Sequence, residues 1–248
     1  MIELRDAAVL RVSQAKVALM IRAIGAAALL MLCACAGSFG ERVHEQFHQA
    51  IDSGATPIVH VDNIAGTVTL VTWAKPIVNI VATKYGYNAS DLRSVTISVN
   101  REGNGIFVVT TYGDGDHGGG VRYRISVPAG ASVQVGNVAG AVFVGPVTGN
   151  VSVETQAGTI EANLGRVDGD RAIDLHATTG AVTARIARES NATIDAESTV
   201  GGFSSDVPGI EQSHQNVVGV RASGKIGSGS ARIRLSTTTG AIALRAIE

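Results

Sequence analysis

Glycines at 158, 180, 202 and 224 recur at a constant step of 22 residues, and each closes a short lead-in rich in Thr, Ser and Ala. The phrases are Thr155-Gln156-Ala157-Gly158-Thr159-Ile160, Ala177-Thr178-Thr179-Gly180-Ala181-Val182, Thr199-Val200-Gly201-Gly202-Phe203 and Ala222-Ser223-Gly224-Lys225-Ile226. A fixed period of about 20 to 50 residues marks a stacked repeat, in which each unit covers its neighbour's apolar face. Shorter phrases around Gly140 and Gly149 precede the series, and Thr238-Thr239-Gly240-Ala241-Ile242 closes the chain. Apolar residues follow five of these glycines at plus two and plus four, as Val142/Val144, Val151/Val153, Ile160/Ala162, Val182/Ala184 and Ile242/Leu244. Ile173/Leu175, Ile194/Ala196 and Val218/Val220 predict a second strand in each period. Successive antiparallel strands would need the motif reversed, whereas a coil returning to the same place stacks like on like. Residues 137–248 are therefore expected to form a parallel β-solenoid, with Ile160 and Val182 on neighbouring rungs. The pattern weakens at Ser204 and Asp206, so 206–216 reads as an inserted loop.

Upstream, 57–136 holds six runs rich in β-branched residues, at 58–62, 66–73, 77–84, 94–100, 106–112 and 121–127. Tyr123, Ile125 and Val127 alternate with Arg122, Arg124 and Ser126, as a strand with one dry and one wet face requires. Turn residues at Asn88-Ala89-Ser90-Asp91, Glu102-Gly103-Asn104-Gly105 and Pro128-Ala129-Gly130 separate the runs, which predicts an N-terminal antiparallel region of hairpins. The whole chain then reads as all-β. With aromatics at only 4% of residues, its core must be thin and built from small and branched side chains.

The N-terminus follows the order of an export signal. Arg5, Arg11, Lys16 and Arg22 precede an apolar run from Ala23 to Leu32 and the small cluster Ala34-Cys35-Ala36-Gly37. Leu32-Cys33-Ala34-Cys35 resembles a lipobox with Cys35 as the lipidated first mature residue. Ala34-Cys35-Ala36 would instead release a soluble protein, and translation could begin at Met1 or Met20. The expected organisation is a signal peptide of lipoprotein type at 1–35, a polar tether at 36–56, the N-terminal strand region at 57–136 and the solenoid at 137–248. Residues 36–248 contain no cysteine, which excludes a disulfide framework from the body.

Several motifs point to chemistry that their setting does not support. His44-Glu45-Gln46-Phe47-His48 matches the zinc-binding H-E-x-x-H, but it follows the export signal with nothing upstream for a helix to pack on; Val43 and Phe47 read as anchors against the β body. The loop Gly113-Asp114-Gly115-Asp116-His117-Gly118 matches G-x-G-x-x-G yet leads into a strand, where a dinucleotide site must open a helix. As a cation loop it lacks the closing Glu, since Ile125 stands in that position. Net charge is −1 and no basic stripe occurs beyond residue 22, so nucleic acid is not an expected partner. Glu154, Glu161, Asp174 and Arg185 occupy wet strand positions. Convergence of Glu161, Asp174 or Arg185 across one concave groove would indicate a carbohydrate-active enzyme, and dispersal would indicate a display surface. No catalytic, metal or cofactor residues are assigned.

Val61-Asp62-Asn63-Ile64-Ala65-Gly66-Thr67-Val68, Ile125-Ser126-Val127-Pro128-Ala129-Gly130, Val135-Gly136-Asn137-Val138-Ala139-Gly140 and the repeated Thr-x-x-Gly phrases together resemble the bacterial putative-adhesin domain with β-strand repeats, over roughly 57–248. That resemblance implies an exported, often lipid-anchored β-solenoid of unknown function and brings no catalytic residues. The expected structural glycines are Gly66, Gly140, Gly149, Gly158, Gly180, Gly202, Gly224 and Gly240. The expected function is that of a non-enzymatic cell-envelope protein, an adhesin or surface scaffold, with a carbohydrate-active enzyme or glycan-binding module on a short β-helix as the alternative. Expected partners are the membrane, through a lipid anchor or an uncleaved signal segment, and a glycan or another envelope protein. Its expected place is the outer membrane or cell surface, as a lipoprotein.

Overall fold

The computed structural model describes residues 42–113, 118–215 and 218–248. Arg42–Glu248 is one compact unit with a continuous apolar core of its own, so it can be expected to fold independently. Its elements in chain order are β1 (Val43–Asp52), β2 (Ile58–Ala65), β3 (Val68–Trp73), β4 (Ile77–Gly86), the short helix α1 (Ala89–Ser94), β5 (Val95–Glu102), β6 (Gly105–Tyr112), β7 (Gly120–Pro128), β8 (Ser132–Ala139) and β9 (Val142–Val144). There follow β10 (Val151–Ala157), β11 (Ile160–Gly165), β12 (Ala172–Thr179), β13 (Val182–Ala187), β14 (Ala192–Val200), β15 (Phe203–Ser205), β16 (Ile210–Gln215), β17 (Gly219–Ile226), β18 (Ala231–Thr239) and β19 (Ile242–Ile247).

The strands form two sheets. Sheet A runs β1-β4-β7-β3-β9-β11-β13-β19-β15, and sheet B runs β16-β17-β14-β18-β12-β10-β8-β2-β6-β5. Each rung of the solenoid crosses from a sheet B strand through a glycine corner to a sheet A strand. Ile160 lies opposite Val182 in a parallel pair, as the repeat predicts. In the rung of β12 and β13, Ile173, Leu175, Ala177, Val182, Ala184 and Ile186 are all buried. Burial of each larger member contributes roughly 1.5 to 3 kcal/mol.

The corner glycines stack directly. A Cβ on Gly180 would lie 1.6 Å from the carbonyl oxygen of Gly158, and one on Gly201 would lie 1.8 Å from that of Gly240. Both residues also have positive φ, at 141° and 148°, where side chains are strained. The spine runs 66, 140, 158, 180, 240, 201 in space.

Polar residues three positions before these glycines point into the core beside the spine. They are Asn63, Asn137, Thr155, Ser198 and Thr237, all buried. Thr237 donates to the carbonyl of Gly180 and Ser198 to that of Gly240, each from one rung to the next. At the other end, Thr110 donates to Asn63 Oδ1, so the Tyr123 hydroxyl 2.7 Å away donates to Thr110. Asn63 in turn donates to Asn137. Desolvation pushes the buried Tyr123 hydroxyl up to about 12.

The structure departs from the sequence expectations in three places. The N-terminal region does contain antiparallel pairs, β5 with β6, β4 with β7, and β1 with β4. It also supplies parallel rungs, because β2 lies between β6 and β8 and β3 between β7 and β9. Alternation fixes which side of a strand is buried but not the direction of its partner. Second, the stretch 206–216 contributes β16, which pairs antiparallel with β17. β17 is antiparallel to β14 in turn, so Gly224 lies within a strand opposite Ile194 and turns no corner. Third, residues 43–52, expected within a polar tether, form the edge strand β1 on β4.

Candidate ligand-binding face

Strand alternation directs residues six and four positions before each corner glycine outward from sheet B. In register across the sheet, the first row reads Phe107, His60, Gln134, Ser152, Asp174, Arg234, Asp195. The His60 and Phe107 rings are stacked, 4.6 Å between centroids and 6° from parallel. Small residues at Ser132, Ser152 and Ala172 leave a trough of about 340 Å³, bounded by Ile58 at one side and by Arg232 and Arg234 at the other. Ile58 is 41% exposed, so this wall offers apolar surface to a ligand. A second hollow of about 320 Å³ lies over Gly136, between Asp62 and Glu154. A third, about 490 Å³, is bordered by Asp195, Glu197, Arg221 and Arg234.

The row four positions before the corners reads Asp62, Gly136, Glu154, His176, Ser236, Glu197. His176 Nδ1 lies 2.9 Å from Ser236 Oγ, and Arg221 pairs with Glu197 at 2.6 Å. Acid, His and Ser in adjacent register are the residue types of a hydrolytic triad. Such a triad needs the acid bonded to the second ring nitrogen and free N–H donors for an oxyanion. Glu154 stands opposite His176 in register, but the hydrogen bond of the His176 ring is to Ser236. The ladders that β12 and β18 make on both sides engage their backbone donors. The pair behaves as a rung-to-rung polar contact.

The four wet-face residues of the sequence reading disperse. Glu154 and Asp174 lie on sheet B, while Glu161 and Arg185 lie on sheet A and pair at 3.2 Å. His44 and His48 sit on the same side of β1, four residues apart, which in a strand separates them by about 13 Å. Zinc with bonds near 2 Å cannot bridge that gap. His48 instead lies 2.6 Å from Asn79 Oδ1. Among the described residues no cluster of three or more His, Cys, Asp or Glu could hold a metal. Loop residues 114–117 and Cys35 lie outside the described residues.

Of the expected structural glycines, Gly66, Gly140, Gly158, Gly180 and Gly240 stand in the corner spine. Gly149 lies before β10, where a Cβ would meet Ala131 O at 2.5 Å. Gly202 has open space around its Cβ position, and its neighbour Gly201 takes the corner. Arg171, which the sequence did not single out, clamps the turns near Gly149 by donating to the carbonyls of Gly149, Arg166 and Val147. Burial lowers its pKa, and nearby Asp168 acts in the opposite direction.

A family model, the Toastrack domain DUF4097, matches residues 88–245, more than half of the chain. The chain belongs to the Toastrack family. The resemblance read from the sequence therefore holds at the level of the family, and the rungs described above are those of a Toastrack solenoid. The crystal structure of a putative cell adhesion protein from Clostridium sporogenes superposes with a TM-score of 0.62 at 9% identity, covering 84% of this chain and 100% of that one. This likeness is one of fold. A putative adhesin from Bacteroides fragilis shares 12% identity over 82% of this chain and 97% of that one, with a TM-score of 0.29. No curated protein matches the Toastrack chain by sequence.

Proposed function

We propose that this Toastrack protein is a non-enzymatic component of the cell envelope that presents the outer face of sheet B for attachment, as an adhesin or surface scaffold. The reading includes export and anchoring through lipidated Cys35, at the outer membrane or cell surface. The observation that carries it is the trough across β8, β10 and β12, an open depression that runs from the apolar wall at Ile58 on β2 to Arg232 and Arg234 on β18. Dispersal of Glu154, Asp174, Glu161 and Arg185 over two faces supports display over catalysis, and the Clostridium protein of similar fold is named for cell adhesion.

Within this reading the row favours a glycan as the ligand. A flat His60–Phe107 pair, then Gln134 and Ser152, then charged Asp174 and Arg234, offers a sugar apolar contact at one end and hydrogen bonds along the rest. Glycan-array and cell-surface binding by residues 37–248 tests both parts. Binding that Ser152→Trp abolishes and Thr183→Trp, on sheet A, preserves is the expected result. Loss with both variants, or no retention on any surface, overturns the assignment of the face. Mass spectrometry of the native N-terminus tests the lipid on Cys35.

A further inference from the structure

The opposite sheet carries a patch of different character where the folded unit begins. Arg42 lies over the rings of both Tyr85 and Tyr87, at 5.8 and 5.6 Å, and Arg122 lies over Tyr85 at 5.7 Å. Tyr87 is 62% exposed. Arg124 follows two residues after Arg122 on the outward side of β7, and all three arginines are exposed. None of the three has a carboxylate partner among the described residues, in contrast to Lys84, Arg166, Arg185 and Arg221. The row through Arg124 reads Val81, Arg124, Thr69, Phe143, Glu161, so the first acid along it stands three strands away and is already paired with Arg185. The acids close by in sequence are Asp114 and Asp116, in the connection between β6 and β7, Glu41 beside Arg42, and Glu45, which is already paired with Lys84.

We infer that this cationic and aromatic block of sheet A docks on the anionic headgroups of a phospholipid bilayer. Arginine meets phosphate with a planar fork of donors, and tyrosine places an apolar ring and a polar tip at the headgroup level. The chain length agrees. Arg42, the first described residue, is itself part of the patch, and the seven peptide steps from Cys35 to it, across six intervening residues, span at most about 25 Å. A chain held in the membrane at its N-terminal segment therefore keeps this block next to the lipid surface. Sheet A then faces the bilayer at its N-terminal end, and the outer face of sheet B is left open. The inference goes beyond the display reading, because it concerns a different face and needs no ligand on sheet B.

Sedimentation of residues 37–248 with vesicles tests it without the anchor. Binding to phosphatidylcholine vesicles containing phosphatidylglycerol, and not to pure phosphatidylcholine, is the expected result. Each arginine near an anionic surface contributes roughly a fivefold factor in partitioning, so Arg122→Glu with Arg124→Glu should weaken binding at least about 25-fold. Arg188→Glu with Lys225→Glu, which changes net charge equally at exposed positions elsewhere, should leave most of it. Circular dichroism confirms that each variant is folded. Equal loss in both double variants reduces the effect to net charge and overturns the docking face. So does binding that is absent, or indifferent to phosphatidylglycerol. A headgroup source is separated from free phosphate by adding inorganic phosphate at matched ionic strength, which should not displace the protein.

Discussion

Two adjacent glycines separate the corner spine from the apparent repeat. The 22-residue period selects Gly202, but Gly201 is the residue whose Cβ would collide with a backbone oxygen, at 1.8 Å from Gly240 O and 2.7 Å from its carbon, with φ at 148°. Backbone strain in this region costs about 1 to 3 kcal/mol. Forcing a methyl group against a fixed carbonyl adds about 1 to 3 kcal/mol of overpacking. Gly201→Ala should therefore lose about 2 to 6 kcal/mol, less any part relieved by fraying of the three-residue β15. Gly180→Ala has a neighbouring rung on each side and no such relief, so it should show the full loss. Against a total stability of about 5 to 15 kcal/mol, that suffices to unfold a large fraction of the molecules. Gly202→Ala meets nothing within 4 Å and has no positive φ, so it should stay within about 0.5 kcal/mol of the parent. Equilibrium unfolding in urea, followed by circular dichroism, measures all three. Equal costs at 201 and 202, or a tolerant Gly180→Ala, would refute the spine as the reason for these glycines.

Three further outcomes follow from the core. Tyr123 titrates near 12 when folded against 10.0 in an unfolded chain, so its stabilising contribution is complete below pH 10 and is lost as pH rises through 12. That loss is about 2 to 3 kcal/mol, and unfolding midpoints between pH 9 and 12 should fall more steeply for the parent than for Tyr123→Phe; parallel slopes would count against it. Ser198→Ala should cost about 1 kcal/mol by freeing the Gly240 carbonyl, whereas Ala177→Ser, which restores a hydroxyl where other rungs carry a polar group, should gain about 0.5 to 1 kcal/mol in the same unfolding assay. Arg171→Met removes donors from three turn carbonyls and should cost about 2 kcal/mol, with Arg171→Lys recovering only part because an ammonium cannot reproduce the fork.

The parallel winding was legible in the sequence because it has a local cause, a glycine with alternating apolar residues on each side of it. The order of the rungs has no such cause. Every rung presents the same corner and the same buried side, so any rung can stack on any other, and the connections decide. The connection that includes β16 and β17 carries the chain from β15 back to β18, and Gly240 enters between Gly180 and Gly201. A period counted along the chain assigns Gly202 and Gly224 to places in this stack that Gly201 and Gly240 occupy.

The trough was hidden for a related reason, and a different alignment exposes it. Superposing the six rungs on their true corners, at 66, 140, 158, 180, 240 and 201, gives a column at minus six of His60, Gln134, Ser152, Asp174, Arg234 and Asp195. The column at minus three gives Asn63, Asn137, Thr155, Ala177, Thr237 and Ser198, the polar residues beside the spine and the one alanine among them. Glu161 and Arg185 fall at plus three and plus five, beyond the corner. Asp174 at minus six lies before it. The corner sends the two groups to opposite sheets, so no packing of this solenoid could bring those three residues into one groove, and the dispersal that favours display is already written in their distances from a glycine.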